Sequence, residues 1–320
     1  MAATPRTGSD GLSTHGGAGW RPRTAAHTAE LGGIWAECGC TSEVDPLRAV
    51  LLLRPPDSMA SAVDARANLM VGPVDLGLIR QQAEGVAAAY EEHGVRVHRV
   101  EPNAVASPNV VFARDLFFMT PGGAVVARMA SAQRAGEEPV IARALSTLGV
   151  PIERTVTDTA TFEGADALWL DRTTVVVGVG FRTNAAGARA VAGALCGYGV
   201  DVVKVRLGPG VQHLLGSVVF LDHGLAAVHG AAVGPGLRTL LRDRGYRLLE
   251  VPPDGELLTA RGMNMVALAP GRVLMPTGAP VLRERMEAAG VSTHEVDVGE
   301  YVKAAGALGC LTGVLHRSAY

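Results

Sequence analysis

Four cysteines in 320 residues are too few for a disulfide scaffold. Cys38 and Cys40 are too close together to form a comfortable disulfide. They also lack a second C-x-x-C or a His pair, which excludes the common zinc arrangements. Aromatic residues make up only 4% of the chain, and no cluster of Lys and Arg offsets the net charge of −2, so a nucleic-acid or membrane-surface partner is not indicated. No apolar run near the N-terminus is long enough for a signal peptide or a membrane span. No G-x-G-x-x-G follows the first strand-like segment, which removes the usual dinucleotide fingerprint. The few cysteines suit a reducing cytoplasm. What remains is a globular composition, 48% hydrophobic, with 40 glycines for tight turns.

Residues 1–34 are rich in Thr, Gly, Ala and Arg and read as a flexible tail ahead of a single domain over 35–320. Within that domain one unit recurs. In 264–298, N-M-V-A-L-A and R-V-L-M-P flank a P-G turn, a helical stretch V-L-R-E-R-M-E-A-A ends at Gly290, and S-T-H-E-V-D-V follows. The signals are β-branched runs for strands, P-G for the turn, 3.6-residue apolar spacing for the helix and Gly just past its end. The same order appears in 217–251, 166–205 and 110–154, and with a longer insert in 48–100. One strand–strand–helix–strand module cannot bury its apolar face, whereas a ring of five can. The stretch 299–320 then returns to the first module and closes the ring. A doubly wound α/β sheet also alternates strands and helices, but a hairpin before each helix is not a β-α-β crossover.

Several residues carry chemistry. Cys310 lies in A-A-G-A-L-G-C-L-T, a thiol behind small residues that suggests a nucleophile on a tight loop. His213 in Q-H-L-L-G-S is a candidate general acid and base. Glu163 and Asp166 in F-E-G-A-D, and Asp115 in F-A-R-D, are acids set in apolar surroundings, which is costly unless they are paired. Cys196, on an Ala-rich helix, reads as a core residue and Cys40 as structural. His223 reads as a surface residue, and Asn264 as a brace for the loops of the site.

F-A-R-D, E-G-A-D, G-F-R-T-N, Q-H-L and the late G-C-L-T, in that order on five modules, resemble the guanidino-group-modifying superfamily. That family includes dimethylarginine dimethylaminohydrolases, arginine deiminases and amidinotransferases. The resemblance implies an α/β fold, a five-bladed α/β-propeller. Dimethylarginine dimethylaminohydrolases look most similar, through E-G-A-D, R-T-N and H-L-L-G-S. P-N-V-V-F-A-R-D resembles the deiminase pattern instead, and Asn109 stands where the dimethylaminohydrolases usually carry Asp.

The resemblance implies a cofactor-free, metal-free hydrolase of the guanidino group of arginine or an Nω-methylated arginine. Citrulline and ammonia or a methylamine would form through a thiouronium on Cys310, with His213 and Glu163 as its catalytic partners. The alternative is an amidinotransferase with an amine acceptor. Asp115 and Glu163, with Asp166 after them, are expected to clamp the substrate cation, since planar carboxylates match a guanidinium fork. Arg182 is expected to pair with the substrate's α-carboxylate, and Arg134 matches a second substrate-binding arginine of the dimethylaminohydrolases. Asp75, in a Gly- and Pro-punctuated segment, Leu69 to Leu78, read as a lid, is expected to bind the substrate. The partner is then a small guanidino compound, and the superfamily suggests a homodimer.

Overall fold

The computed structural model describes residues 11–318 except 63, 104, 105, 231 and 254. Short Val-, Leu- and Ala-rich runs pair into three-stranded sheets, as β-branched residues on a pleated, buried surface favour. The strands are β1 (Leu47–Leu53), β2 (Arg96–Val100), β3 (Phe117–Met119), β4 (Ala124–Val126) and β5 (Ile152–Thr155). They continue with β6 (Ala167–Asp171), β7 (Thr174–Val179), β8 (Asp201–Arg206), β9 (Val218–Asp222) and β10 (Leu225–His229). The last five are β11 (Arg247–Val251), β12 (Val266–Ala269), β13 (Arg272–Pro276), β14 (Ser292–Val296) and β15 (Gly313–Arg317).

Among the described residues there are five such sheets, and four share one plan. An antiparallel hairpin (β3–β4, β6–β7, β9–β10, β12–β13) is followed by a helix and a third strand parallel to the second. The first two strands of each are buried almost throughout, while third strands such as β8 and β14 alternate between exposed and half-buried positions. The fifth sheet is assembled from both ends of the chain: β15 pairs antiparallel with β1, and β1 runs parallel to β2. The expected ring closure by the C-terminal stretch is therefore present, and the first module contributes two strands rather than three.

The outer helices are amphipathic. In Pro235–Asp243, Leu237 and Leu241 are the buried pair, one turn apart, and Pro stands at the first turn, where its missing N–H is harmless. The helices of four modules are followed by a left-handed glycine, Gly94, Gly149, Gly245 or Gly290, which lets the chain turn back into the third strand. Cys196 corrects an expectation. Ala188, Val191 and Leu195 form the buried face of Ala185–Leu195, and Cys196 is rotated about 100° from Leu195, onto the exposed side. Cys40 is buried and donates its thiol to Ser42 O.

Residues 1–10 of the expected tail lie outside the described residues. Its remainder is partly fastened down: Arg23 pairs with the buried Glu30, and the His27 ring lies 2.9 Å from Gly122 O at the β3–β4 turn. Among the described residues no helix is long and apolar enough to cross a membrane.

Candidate active site

The approach to the first strand of each sheet carries a chemical group, and the fivefold plan brings these approaches together. Asp115 sits in a one-turn helix, Ala113–Leu116, ahead of β3. Glu163 and Asp166 flank the turn Gly164–Asp166 ahead of β6, and His213 precedes the turn Leu214–Gly216 ahead of β9. Asn264 lies just before β12, and Cys310 in Leu308–Leu311 just before β15. The Asp115 helix packs on both the Gly164–Asp166 turn and the Cys310 turn, and Gly164–Asp166 packs on Leu214–Gly216. All of these side chains are buried.

The turn chemistry explains E-G-A-D. A Cβ on Gly164 would lie 2.2 Å from Phe117 O and 2.5 Å from Arg114 O, so only glycine lets the two acidic loops touch. Ala165, by contrast, has its methyl buried in the core. Gly164→Ala should destabilise the fold by about 3 kcal/mol, because the clash is with backbone. Ala165→Gly should lose only about 1 kcal/mol. Urea unfolding of the two variants checks the contrast, and equal losses would contradict it.

His213 Nε2 is 2.7 Å from Glu163 Oε2, and its Nδ1 is 3.7 Å from Asp115 Oδ1. Burial alone would drive the imidazole pKa down, but the charges of Asp115 and Glu163 and the bond to Glu163 raise it to about 9. Burial pushes Glu163 the other way, yet its bond to His213 and the charges of His213 and Arg134 hold it below the usual carboxylate range. Asp166 accepts the Leu214 N–H on Oδ1 at 3.0 Å, and burial raises its carboxyl to about 6. Two carboxylate oxygens here, Asp115 Oδ1 and Asp166 Oδ2, are buried without a hydrogen-bond donor. Thr183 receives the Glu163 N–H on its hydroxyl at 3.1 Å and so fixes the acid's backbone.

Cys310 is gripped by the expected brace. The Asn264 amide donates to Sγ at 3.1 Å, and its carbonyl accepts the Cys310 N–H at 3.0 Å. Burial, and then the nearby Asp115 carboxylate, hold the thiol pKa above its ordinary value. The resting site therefore carries a neutral thiol and an imidazolium, each near the Asp115 carboxylate.

The arginines are less free than expected. Arg182 Nη1 lies 3.3 Å from both Glu163 oxygens, with the guanidinium 5.4 Å from the centre of the exposed Phe181 ring. Arg134 is 2% exposed and bonds Asp115 Oδ2 at 2.6 Å and Glu137 Oε2 at 2.8 Å, with Glu163 Oε2 at 3.7 Å. Arg134, matched above to a substrate-binding arginine, has its fork committed to protein acids. Glu137 escaped the reading of the sequence, although the R-x-x-E spacing at 134–137 could have revealed a one-turn ion pair.

Asp75 has a local structural role. It is exposed and caps the helix Leu76–Glu92, its Oδ1 accepting the Leu78 N–H at 2.9 Å. An acid just before an apolar helix is a capping signal. The expected lid is tied down at Val71 and Gly72, whose N–H groups bond Lys303 O on the segment leading to Cys310. His223 is exposed, as expected.

Asp115, Glu163 and His213 offer ligand atoms within 4.8 Å of one another, a spacing that could suit a metal ion. Arg134, within 4 Å of both carboxylates, already supplies positive charge there.

Comparison with known proteins agrees with this geometry. A family profile described as arginine deiminase matches residues 58–207. An N(G),N(G)-dimethylarginine dimethylaminohydrolase from Streptomyces coelicolor is 29% identical over 267 residues, which cover 83% of this chain and 96% of the relative. The fold is that of a Pseudomonas aeruginosa dimethylarginine dimethylaminohydrolase solved with citrulline, at TM-score 0.72 and 23% identity over 85% of this chain and all of that one. The chain is similar to members of the guanidino-group-modifying superfamily. The superfamily's five-bladed α/β-propeller is the architecture seen here. It also includes an amidinotransferase from Microseira wollei, which superimposes at TM-score 0.75 with 16% identity over 88% of this chain and 98% of that one. A 2-nitroimidazole nitrohydrolase from a Mycobacterium species is 26% identical over 265 residues, 77% of this chain and 70% of that protein.

Proposed function

We propose that this protein is a cysteine hydrolase of the guanidino group of arginine or an Nω-methylated arginine, giving citrulline and ammonia or a methylamine. The observation that carries the reading is the pair of buried acceptors without donors, Asp115 Oδ1 and Asp166 Oδ2, beside an imidazole held on Glu163. Two unmet carboxylate oxygens suit a planar cation that brings its own N–H donors. Neutral ligands would leave them in deficit. The dimethylaminohydrolase and arginine deiminase relatives support this substrate class.

The chemistry then follows from charge. A guanidinium bound beside Cys310 favours the thiolate, so the thiol proton leaves as substrate enters. The thiolate attacks the guanidinium carbon, forming a C–S bond and a neutral tetrahedral adduct. The His213 imidazolium gives its proton to the departing nitrogen, and the C–N bond breaks to release the amine. The S-alkylthiouronium that remains is attacked by a water whose proton His213 takes back. Breaking the C–S bond, with the adduct's hydroxyl proton passing to the departing sulfur, frees neutral citrulline and the thiol. Glu163 keeps the imidazole oriented throughout and favours its charged form before and after the transfer. Arg182, at the edge of the site on Glu163, is the group we assign to the substrate's carboxylate, reached by exchanging partners once the substrate cation sits among the acids. The free thiol fits a reducing cytoplasm.

The test is product analysis with arginine, monomethylarginine and asymmetric dimethylarginine. Citrulline with the matching amine supports the hydrolase, whereas ornithine and a new guanidine, seen only with an amine acceptor, would assign an amidinotransferase. Activity should also be bell-shaped in pH. Asp166 must be ionised to clamp the cation, so kcat/KM should fall as pH drops through about 6. His213 must be protonated to release the amine, so it should fall again as pH rises through about 9. An alkaline limb unchanged in His213→Asn at its residual rate would remove His213 from that role.

A further inference from the structure

A second charged site lies inside the ring, farther along the inner strands than the catalytic loops. A cavity of about 20 Å³ is bounded by β6, β9, β12 and β15, with Glu43, Arg114, Thr312 and Arg317 as its polar lining. That is room for a single water-sized particle. Arg114 and Arg317 are 8% and 6% exposed. Arg317 bonds only backbone oxygens, Asp45 O at 2.7 Å and Ala267 O at 2.8 Å. Arg114 bonds Glu43 Oε1 at 3.1 Å and Ala167 O at 3.2 Å. The Nε–H of each arginine is buried with no acceptor among the described residues.

The charges do not cancel. Two guanidiniums line the cavity and Glu43 is its only carboxylate, an excess of one positive charge. The nearby Asp45 does not supply the balance, because its carboxylate pairs with Arg172 at 3.4 Å and His223 at 3.3 Å while only its backbone reaches Arg317. An unpaired buried cation carries a heavy desolvation penalty. Burial and Arg114 both pull the pKa of Arg317 down, while Cys40 and Glu43 pull it up, as expected of a cation short of partners.

We propose that this cavity binds one small monovalent anion, such as chloride, between the Nε–H groups of Arg114 and Arg317 on the propeller axis. A halide needs only donors and positive charge, and both unmet donors here belong to cations. The proposal does not depend on the guanidino reaction.

The deciding experiment is a crystal of the whole protein grown in sodium bromide. An anomalous peak within contact distance of both Nε atoms is the expected result. Density for a water alone, without anomalous signal, would overturn the proposal. In solution, the thermal midpoint should rise and saturate as chloride or bromide replaces gluconate at constant ionic strength. Superimposable melting curves would count against the site equally. Glu43→Gln keeps an oxygen for Arg114 and for the Trp169 N–H but removes the cavity's negative charge. It should tighten bromide binding at least several-fold, and unchanged or weaker binding would refute the charge argument.

Discussion

Cys310→Ser should lower citrulline formation by about 10⁴-fold or more while leaving ligand binding nearly intact. In the proposed mechanism Asp115 and Asp166 clamp the cation, and their positions depend on Arg134 and on the Leu214 N–H rather than on the sulfur. Asn264 can hold a serine hydroxyl much as it holds the thiol. What the serine lacks is acidity. The thiol is already above its ordinary pKa because burial and the Asp115 carboxylate outweigh the Ala307, Asn264 and Arg261 interactions that lower it, and the incoming cation adds to the lowering. A hydroxyl starts several pKa units higher, beyond what one bound charge at a few ångströms supplies. Titration calorimetry with substrate and product on the variant, alongside a citrulline assay, makes the comparison. Persistent turnover would eliminate the covalent route, and lost binding would mean that the sulfur belongs to the clamp.

The repeat was legible because each module punctuates itself: a turn between two β-branched runs, an apolar helical stripe, then in most modules a glycine. Asp115, Glu163, Asp166, His213 and Cys310 stood out as reactive groups set among apolar neighbours or small residues, and the fold gathers them all into one buried region. The ion-pair assignments were less accessible. Arg134 and Asp115 are 19 positions apart, and Arg182 and Glu163 also 19, so nothing local distinguishes a free arginine from one already paired. Asp75 illustrates the converse: its capping role is written locally, as an acid before an apolar helix. Cys196 shows how sharply helical phase matters, since Leu195 is buried and its neighbour is exposed. The unequal contributions of the two chain ends to one sheet could be inferred only from ring closure, because β1 and β15 are separated by nearly the whole chain.

Arg134→Met should be the most destabilising single change at the site, by about 3–5 kcal/mol, because it strands buried carboxylates without their counter-charge. Asp115 and Glu137 each have a guanidinium nitrogen within hydrogen-bond distance, and Glu163 lies just beyond. Burial already raises the carboxyl pKa of Glu137 with the arginine present. Without the arginine that carboxyl should rise further and hold a proton. A carboxyl whose folded pKa exceeds its unfolded value stabilises the fold while protonated, and that contribution is lost as pH climbs. The defect of Arg134→Met, measured by denaturant unfolding against the parent protein, should therefore widen between pH 5 and pH 8. Adding Glu137→Leu should recover part of the stability, since one stranded charge is gone. It should not recover citrulline formation, because Asp115 would still lack the bond that aims its free oxygen at the substrate. If the double variant regained both, Arg134 would be a structural ion partner with no part in positioning the clamp. Recovery of stability alone would place it between core and chemistry: a cation built into the protein that holds the acids ready for a second one.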